Sequence, residues 1–177
     1  MKSTASSTAQ SPQSHRGRAT PYKLVVFAPD TANAVSAAGG LIADTLRAGW
    51  HVEVYLEAGS DARALRILGA DGRPLPYSFD FELKWPDAIV FASSTYERHR
   101  SVRRLITDAT RRHGADVAAW GGTWPMADAS ASEIKHRLSG AARAFKYHAM
   151  KAVGTAAPSA PVEEFYGGFH RLVTVPG

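Results

Sequence analysis

The chain has 177 residues, of which 45% are hydrophobic and 21% are charged. This length suits one globular domain with a substantial core, because a domain commonly contains about 100–200 residues. The absence of cysteine from the sequence excludes a disulfide scaffold, thiol catalysis and cysteine-bound zinc. No uncharged apolar run reaches the roughly 18 residues that a membrane-spanning helix needs, so we do not expect an integral membrane protein.

The formal charge of +5 is distributed unevenly along the sequence. Residues 21–97 carry a net charge of −4, whereas residues 98–151 carry +7. Arginine outnumbers lysine 15 to 6, which is typical of GC-rich bacterial genomes, so part of the arginine content needs no functional reason. The pattern predicts an electrostatic dipole, which bears on partners and steering rather than on the fold.

Residues 1–20 are mainly Ser, Thr, Gln, Pro and Ala, with three basic side chains and no acidic one. Such a segment cannot bury enough apolar surface to offset the entropy of ordering it, so we expect a disordered tail. It also lacks the apolar core of a signal peptide, which favours a cytoplasmic location. The sequence therefore predicts a basic tail over residues 1–20 and one α/β domain over residues 21–177.

Short apolar runs alternate with segments of helical spacing in the rest of the chain. The apolar runs predict strands over residues 23–28, 52–56, 88–92, 117–120 and 170–175. The helical spacing predicts a first helix that stops at Gly49, one that ends at Gly114, and a long one from about Asp128 to Val153. The long helix would bury a stripe that includes Ile134, Leu138 and Phe145. This alternation predicts a doubly wound, mostly parallel sheet of about five strands, flavodoxin-like or Rossmann-like, with helices on both faces.

Residues 61–85 allow two interpretations. A short helix over residues 63–68 would be capped by Ser60 and closed by Gly69, whereas a hairpin would turn at Asp71-Gly72. Two prolines nearby, at positions 74 and 76, exclude a central strand. Residues 77–81 alternate like an edge strand or an ordered loop.

Polar loops follow three of the predicted strands, and each leads into a helix. In a doubly wound sheet, ligands bind beyond the carboxyl ends of the strands, near the point where the strand order reverses. Free N–H groups at a helix start also favour an anion there. Tyr96 and Trp124 would flank a planar ring, as in a flavin or nucleotide site, although helix capping and a lid over the core are also compatible with these loops. The candidate ligand-binding residues are Asp30, Thr31, Ser93, Ser94, Thr95, Tyr96, Gly121, Gly122, Thr123 and Trp124.

Known catalytic and phosphate-binding motifs are missing from the sequence. It contains no G-x-G-x-x-G after the first strand, no P-loop and no G-x-S-x-G. Asp30 stands where a carboxylate could act as a nucleophile or metal ligand, but its position favours helix capping. The seven histidines show no metal-ligand spacing, so we predict no metal site. The Gly39-Gly40 pair lies within a predicted helix, which indicates close packing at that point.

The predicted helices of the third quarter carry a group of basic side chains. Arg100, Arg104 and Arg111 share one helix face opposite Val102, with few acidic partners. If the long helix lay alongside, both helices would form one continuous basic face. The candidate polyanion-binding residues are Arg100, Arg103, Arg104, Arg111, Lys135, Arg143 and Lys146.

A continuous basic face is what phosphate contacts require. It predicts a non-catalytic binding or regulatory module for a polyanion such as nucleic acid, for an acidic protein surface, or for a second copy of the chain. A solvated, arginine-rich surface is the simpler explanation of the same residues. The alternative function is a small-molecule binding protein or enzyme that uses the strand-end loops, with a nucleotide or flavin as its ligand.

Overall fold

Seven strands form one mixed sheet in a computed structural model that describes residues 20–59, 61–81, 84–126, 131–155 and 158–168. The strands are β1 (Lys23–Ala28), β2 (His51–Leu56), β3 (Gly72–Pro74), β4 (Ala88–Ala92), β5 (Asp116–Trp120), β6 (Ser132–Arg137) and β7 (Val162–Gly168). The helices are α1 (Thr31–Arg47), α2 (Ala62–Leu68), α3 (Ser93–Arg98), α4 (Arg100–His113) and α5 (Gly140–Ala152). No helix among the described residues is long and apolar enough to cross a membrane.

The strand order is β3-β2-β1-β4-β5-β7-β6. The first five strands in this order are parallel, whereas β7 is antiparallel to both β5 and β6. The predicted α/β class is therefore confirmed. The prediction of a mostly parallel sheet holds for β3, β2, β1, β4 and β5. The predicted number of about five strands is wrong, because β7 and β6 extend the sheet beyond β5 through antiparallel pairing.

The sheet separates two hydrophobic cores. Leu24 and Val26 of β1 belong to the core that α1, α2 and α5 cover. Val25 and Phe27 belong to the opposite core, which α4 and Phe81 cover. Alternate residues of a strand point to opposite faces, so a continuous apolar run such as β1 is buried on both sides.

The predicted long helix from Asp128 to Val153 is a strand followed by a shorter helix. Ile134 lies on β6, and α5 starts only after Ser139, whose side chain accepts a hydrogen bond from the Ala142 N–H. Phe145, predicted to be buried on the helix stripe, is 42% exposed. Asp128 itself is outside the described residues. The stripe prediction fails because its members belong to two elements with different periodicities.

Glu163 on β7 ties the antiparallel strands to α1. Its carboxylate is 3% exposed and accepts hydrogen bonds from the Gly40 N–H at 2.7 Å, the Leu41 N–H at 2.8 Å and the Lys146 ammonium group at 2.6 Å. A Cβ at Gly40 would lie 2.2 Å from a methyl carbon of Leu138. The glycine pair in α1 therefore allows this close approach of side chains from the β6–α5 connection and from α5.

The structure selects between the interpretations of residues 61–85. Asp61 caps α2 through the Arg63 N–H, and Gly69 ends the helix with a φ of 90°. The hairpin alternative is wrong, because β3 pairs in parallel with β2 at the edge of the sheet. Beyond β3, residues 77–81 form a loop. The predicted cap Ser60, most of the predicted tail (residues 1–19) and the predicted strand 170–175 fall outside the described residues.

Candidate functional site

The carboxyl ends of β1, β2, β4 and β5 meet at one edge of the sheet. The parallel registers pair Ala28 with Leu56, Phe27 with Phe91, and Ala92 with Trp120. The chain leaves β1 toward β2 and β3 and then returns to the other side of β1 as β4, so the strand order reverses between β1 and β4. This is the location where doubly wound sheets bind their ligands.

Asp30 and Thr31 stand at this reversal point, where β1 ends and α1 begins. The Asp30 carboxylate caps α1 by accepting a 2.8 Å hydrogen bond from the Asn33 N–H. Thr31 is 3% exposed, yet its hydroxyl has no hydrogen-bond partner among the described residues. A buried polar group without a partner is rare and indicates a missing partner such as water or a ligand.

The ends of β4 and β5 approach each other closely beside Asp30. The Ser93 hydroxyl lies 3.4 Å from the Thr123 carbonyl, and a Cβ at Gly122 would lie 3.2 Å from the Ser93 Cβ. Gly121 has a φ of 73°, which favours glycine. The Trp120 indole N–H donates a 2.9 Å hydrogen bond to the Asn33 side chain and so connects β5 to α1.

Glu57 follows β2 and contacts side chains of α3 and of His99, the residue that ends it. Its carboxylate accepts from the Thr95 hydroxyl at 2.6 Å and from two nitrogens of Arg98 at 2.9 and 3.1 Å. The His99 ring Nε2 lies 3.3 Å from the same carboxylate. Burial of Glu57 opposes its charge, but the hydrogen bonds from Arg98, Thr95 and His99 outweigh burial and lower the pKa of Glu57.

The two aromatic residues predicted to flank a planar ligand pack against the protein instead. Tyr96 stacks on Phe91 with ring centroids 5.3 Å apart, and Trp124 lies 6.3 Å from the same ring. The Trp124 indole N–H is buried and has no partner in the described part of the chain. The hypothesis of a flavin or nucleotide site therefore gains no support from these rings.

The predicted polyanion-binding residues do not form one face. Helix α4 covers one core and α5 covers the other, so their basic side chains lie on opposite sides of the sheet. Lys146 is 3% exposed in its ion pair with Glu163. Arg103 donates to the carbonyl oxygens of Tyr96 and Glu97 at the end of α3.

The remaining members of that set lie on three elements, β6, α5 and α4. Lys135 lies on β6 between Glu133 and Glu164, at 3.4 and 3.9 Å. Arg143 is exposed on α5, while Arg100, Arg104 and Arg111 stay together on α4.

Sequence reasoning missed Glu57, Asn33, His99 and Trp120. Glu57 had a usable signal, since it directly follows a buried strand just as Asp30 does. The other three are recognisable only from contacts between elements. Across the part of the chain that the structure describes, no three His, Asp or Glu side chains converge in a way that would hold a metal ion.

No protein-family model and no curated protein matches the sequence. Solved structures do share its fold. A deacetylase that acts on the pseudoaglycone of an antimicrobial reagent matches with a TM-score of 0.57 at 16% identity, over 84% of this chain and 97% of its own. The chain has the fold of this enzyme.

Two further structures agree with this finding. A deacetylase–teicoplanin complex gives a TM-score of 0.56 at 14% identity and covers 82% of this chain and 97% of its own. The 4-carboxy-2-hydroxymuconate hydratase of Pseudomonas putida gives 0.53 at 14% identity, over 85% and 97%. The prediction of a non-catalytic binding module is therefore wrong, because the three similar structures named above are enzymes and the predicted basic residues of α4 and α5 lie on opposite sides of the sheet.

Proposed function

We propose that the chain is an enzyme that adds water to a small-molecule substrate at the carboxyl edge of β1 and β4. Removal of an acetyl group and hydration, the reactions that the names of the similar structures state, both deliver water to an electrophilic carbon. The observation that carries the proposal is Asp30, a carboxylate at the reversal of strand order, directly beside the buried and unpartnered Thr31 hydroxyl.

In the proposed hydrolysis of an amide, Asp30 is the general base. It takes a proton from water while the water oxygen bonds to the acyl carbon. The C–N bond then breaks as Asp30 gives the proton that it took from water to the departing amine nitrogen, and the acyl group becomes a carboxylic acid. The hydrogen bond from the Asn33 N–H uses Asp30 Oδ1, and among the described residues Oδ2 has no donor, which leaves it for this role.

Negative charge develops on the substrate oxygen during such a reaction and needs hydrogen-bond donors. The Thr31 hydroxyl and the Trp124 indole N–H are buried donors without partners among the described residues, at the ends of β1 and β5. Donors that are fixed and shielded from water stabilise developing charge most effectively. His99, held by Glu57 at the neighbouring strand end, is the second group able to exchange a proton.

The test compares two aspartates that cap helices. Asp30→Asn keeps a side-chain oxygen for the cap but removes the base, whereas Asp61→Asn makes the same change at α2. Release of acetate from N-acetylated amines and sugars, and hydration of conjugated carboxylates, are the activities to measure. We expect Asp30→Asn to lower kcat by about 10²-fold or more and Asp61→Asn to leave it unchanged.

Two outcomes would contradict the proposal. A fully active Asp30→Asn variant would reduce Asp30 to a helix cap, and a wild-type chain inert toward both reaction classes would overturn the assignment of water addition. Thermal melting of both variants is the control, because equal melting temperatures show that a loss of activity does not come from a loss of fold.

A further inference from the structure

A cavity lies on the α4 side of the sheet, between that helix and the connection from β3 to β4. Its volume is about 690 Å³, and Tyr77, Phe79, Trp85, Arg100, Arg104 and Asp108 are among its lining residues. Cavities of this size bind small molecules. The residues of the proposed water-adding site at the ends of β1 and β4 do not line it.

Two arginines one helical turn apart supply its positive charge. Arg100 and Arg104 are exposed, and within the described ranges neither guanidinium group makes a hydrogen bond or an ion pair. Like charges at this spacing destabilise a helix, since side chains four residues apart are neighbours. A bound carboxylate would relieve that repulsion and match the donor geometry of the guanidinium groups.

Three aromatic side chains, with Leu105, form the apolar part of the cavity. Tyr77 is fully exposed, so its ring has no protein covering. Trp85 is fixed by stacking on His113 at 4.1 Å, and Phe79 is fixed edge-on to Phe27 at 5.3 Å. Aromatic surfaces beside cations suit a ligand that is itself planar and carries a negative charge.

Asp108 limits how much negative charge the cavity accepts. It lies one turn beyond Arg104, also lines the cavity, and is 3.6 Å from Arg112. A second anionic group on the ligand would therefore approach a carboxylate. We propose that this cavity, lined by Arg100, Arg104, Tyr77 and Trp85, binds a small aromatic or conjugated monocarboxylate.

The experiment uses benzoate as the probe and the indole N–H of Trp85 as the reporter, followed by NMR and assigned with Trp85→Phe. Benzoate shifts this signal in a saturable manner. Arg100→Gln and Arg104→Gln each raise the Kd by about tenfold or more, because a charged hydrogen bond is lost. Arg47→Gln, at an exposed position of α1 on the opposite face, leaves the Kd unchanged.

Independent variants and probes keep the proposal falsifiable. Tyr77→Ala weakens benzoate without changing the charge, and phosphate and cyclohexanecarboxylate bind more weakly than benzoate. If phosphate bound as tightly as benzoate, the proposal that the ligand is aromatic would be wrong. If cyclohexanecarboxylate bound as tightly as benzoate, the proposal that the ligand is planar would be wrong. No shift of Trp85, or an Arg47→Gln effect as large as that of Arg104→Gln, would overturn the site.

Discussion

At the scale of single residues, partners at a distance decide what each side chain does. Asp30 and Asp61 both cap helices, yet only Asp30 stands where the strand order reverses. Glu57 resembles Asp30 in following a buried strand, but its carboxylate is occupied by Thr95, Arg98 and His99. Glu57 therefore positions Thr95, Arg98 and His99, while the hydrogen bond that Asp30 accepts from the Asn33 N–H uses Oδ1.

The lowered pKa of Glu57 predicts a pH-dependent contribution to stability. A carboxyl group whose pKa is lower in the folded state stabilises the protein fully above its unfolded pKa of about 4.3, and this stabilisation is lost as the pH falls through the folded pKa. We expect Glu57→Gln to lower the free energy of unfolding by about 1 kcal/mol at pH 7. The effect is this small because the Glu57–Arg98 ion pair is partly exposed to solvent.

Chemical denaturation of wild type and Glu57→Gln at pH 7 and at pH 3 measures this effect. The difference between them should be clearly smaller at pH 3, which lies below the unfolded pKa of about 4.3. Glu133→Gln, an exposed glutamate on β6, is the control and should show little difference at either pH. If Glu57→Gln lowered the free energy of unfolding equally at both pH values, the charge of Glu57 would contribute nothing to stability.

At the scale of elements, the sequence predicted strands that are buried on both faces better than strands at the edge. The runs that became β1, β2, β4 and β5 are almost continuously apolar, which is a local signal. Strand β7 was missed because one of its inward-facing positions is Glu163. The distant partners Lys146, Gly40 and Leu41 make a carboxylate acceptable there, and no local pattern reveals them.

The wrong long helix shows a second limit. Apolar residues at positions 134, 138, 145 and 149 fit helical spacing, whereas residues 132–137 contain one apolar side chain, Ile134, and so lack the apolar alternation of a strand. The sequence offers a helix start at Ser139-Gly140 but no signal for β6, which is a strand because it pairs with β7. The position of the three loops was easier to predict, because the carboxyl ends of parallel strands lie at one edge of the sheet whatever the strand order. Ligand binding by these loops stays a prediction.

The adjacent glycines of α1 give a paired prediction. A methyl group at Gly40 would collide with Leu138 at 2.2 Å, whereas one at Gly39 would meet Lys146 at an ordinary 3.4 Å. Gly40→Ala should lower the free energy of unfolding by about 1–3 kcal/mol through overpacking. Gly39→Ala should be neutral or stabilise by up to about 1 kcal/mol, because alanine favours the helix. Urea unfolding of both variants tests this, and equal effects would contradict the observed packing of Leu138.

At the scale of the whole molecule, the sheet separates groups that a linear sequence appears to join. The basic residues of α4 and α5 seemed able to form one surface, but the two helices cover opposite cores. Charge counted along the chain therefore does not predict a continuous face. The same separation places the cavity beside α4 on one side and the Lys146–Glu163 pair on the other.

The Lys146–Glu163 pair connects the antiparallel strands to the parallel part of the sheet, because it joins α5, β7 and the backbone of α1. Burial raises the pKa of Glu163, and Lys146 opposes that shift. Glu163→Gln leaves the Lys146 ammonium group buried without a counter-charge, so we expect it to lower the free energy of unfolding by about 3–5 kcal/mol.

Its neighbour Glu164 provides the control, since it alternates to the exposed face and only approaches Lys135 at 3.9 Å. Glu164→Gln should change the free energy of unfolding by less than about 0.5 kcal/mol. Denaturation followed by both far-UV circular dichroism and tryptophan fluorescence distinguishes a loss of stability of the whole sheet from the detachment of β6 and β7 alone. Coincident, weakened transitions would mean that the pair stabilises the whole sheet, as we expect from contacts that span three elements. Separate transitions would mean that β6 and β7 detach first, and an unchanged midpoint would mean that the pair contributes no stability.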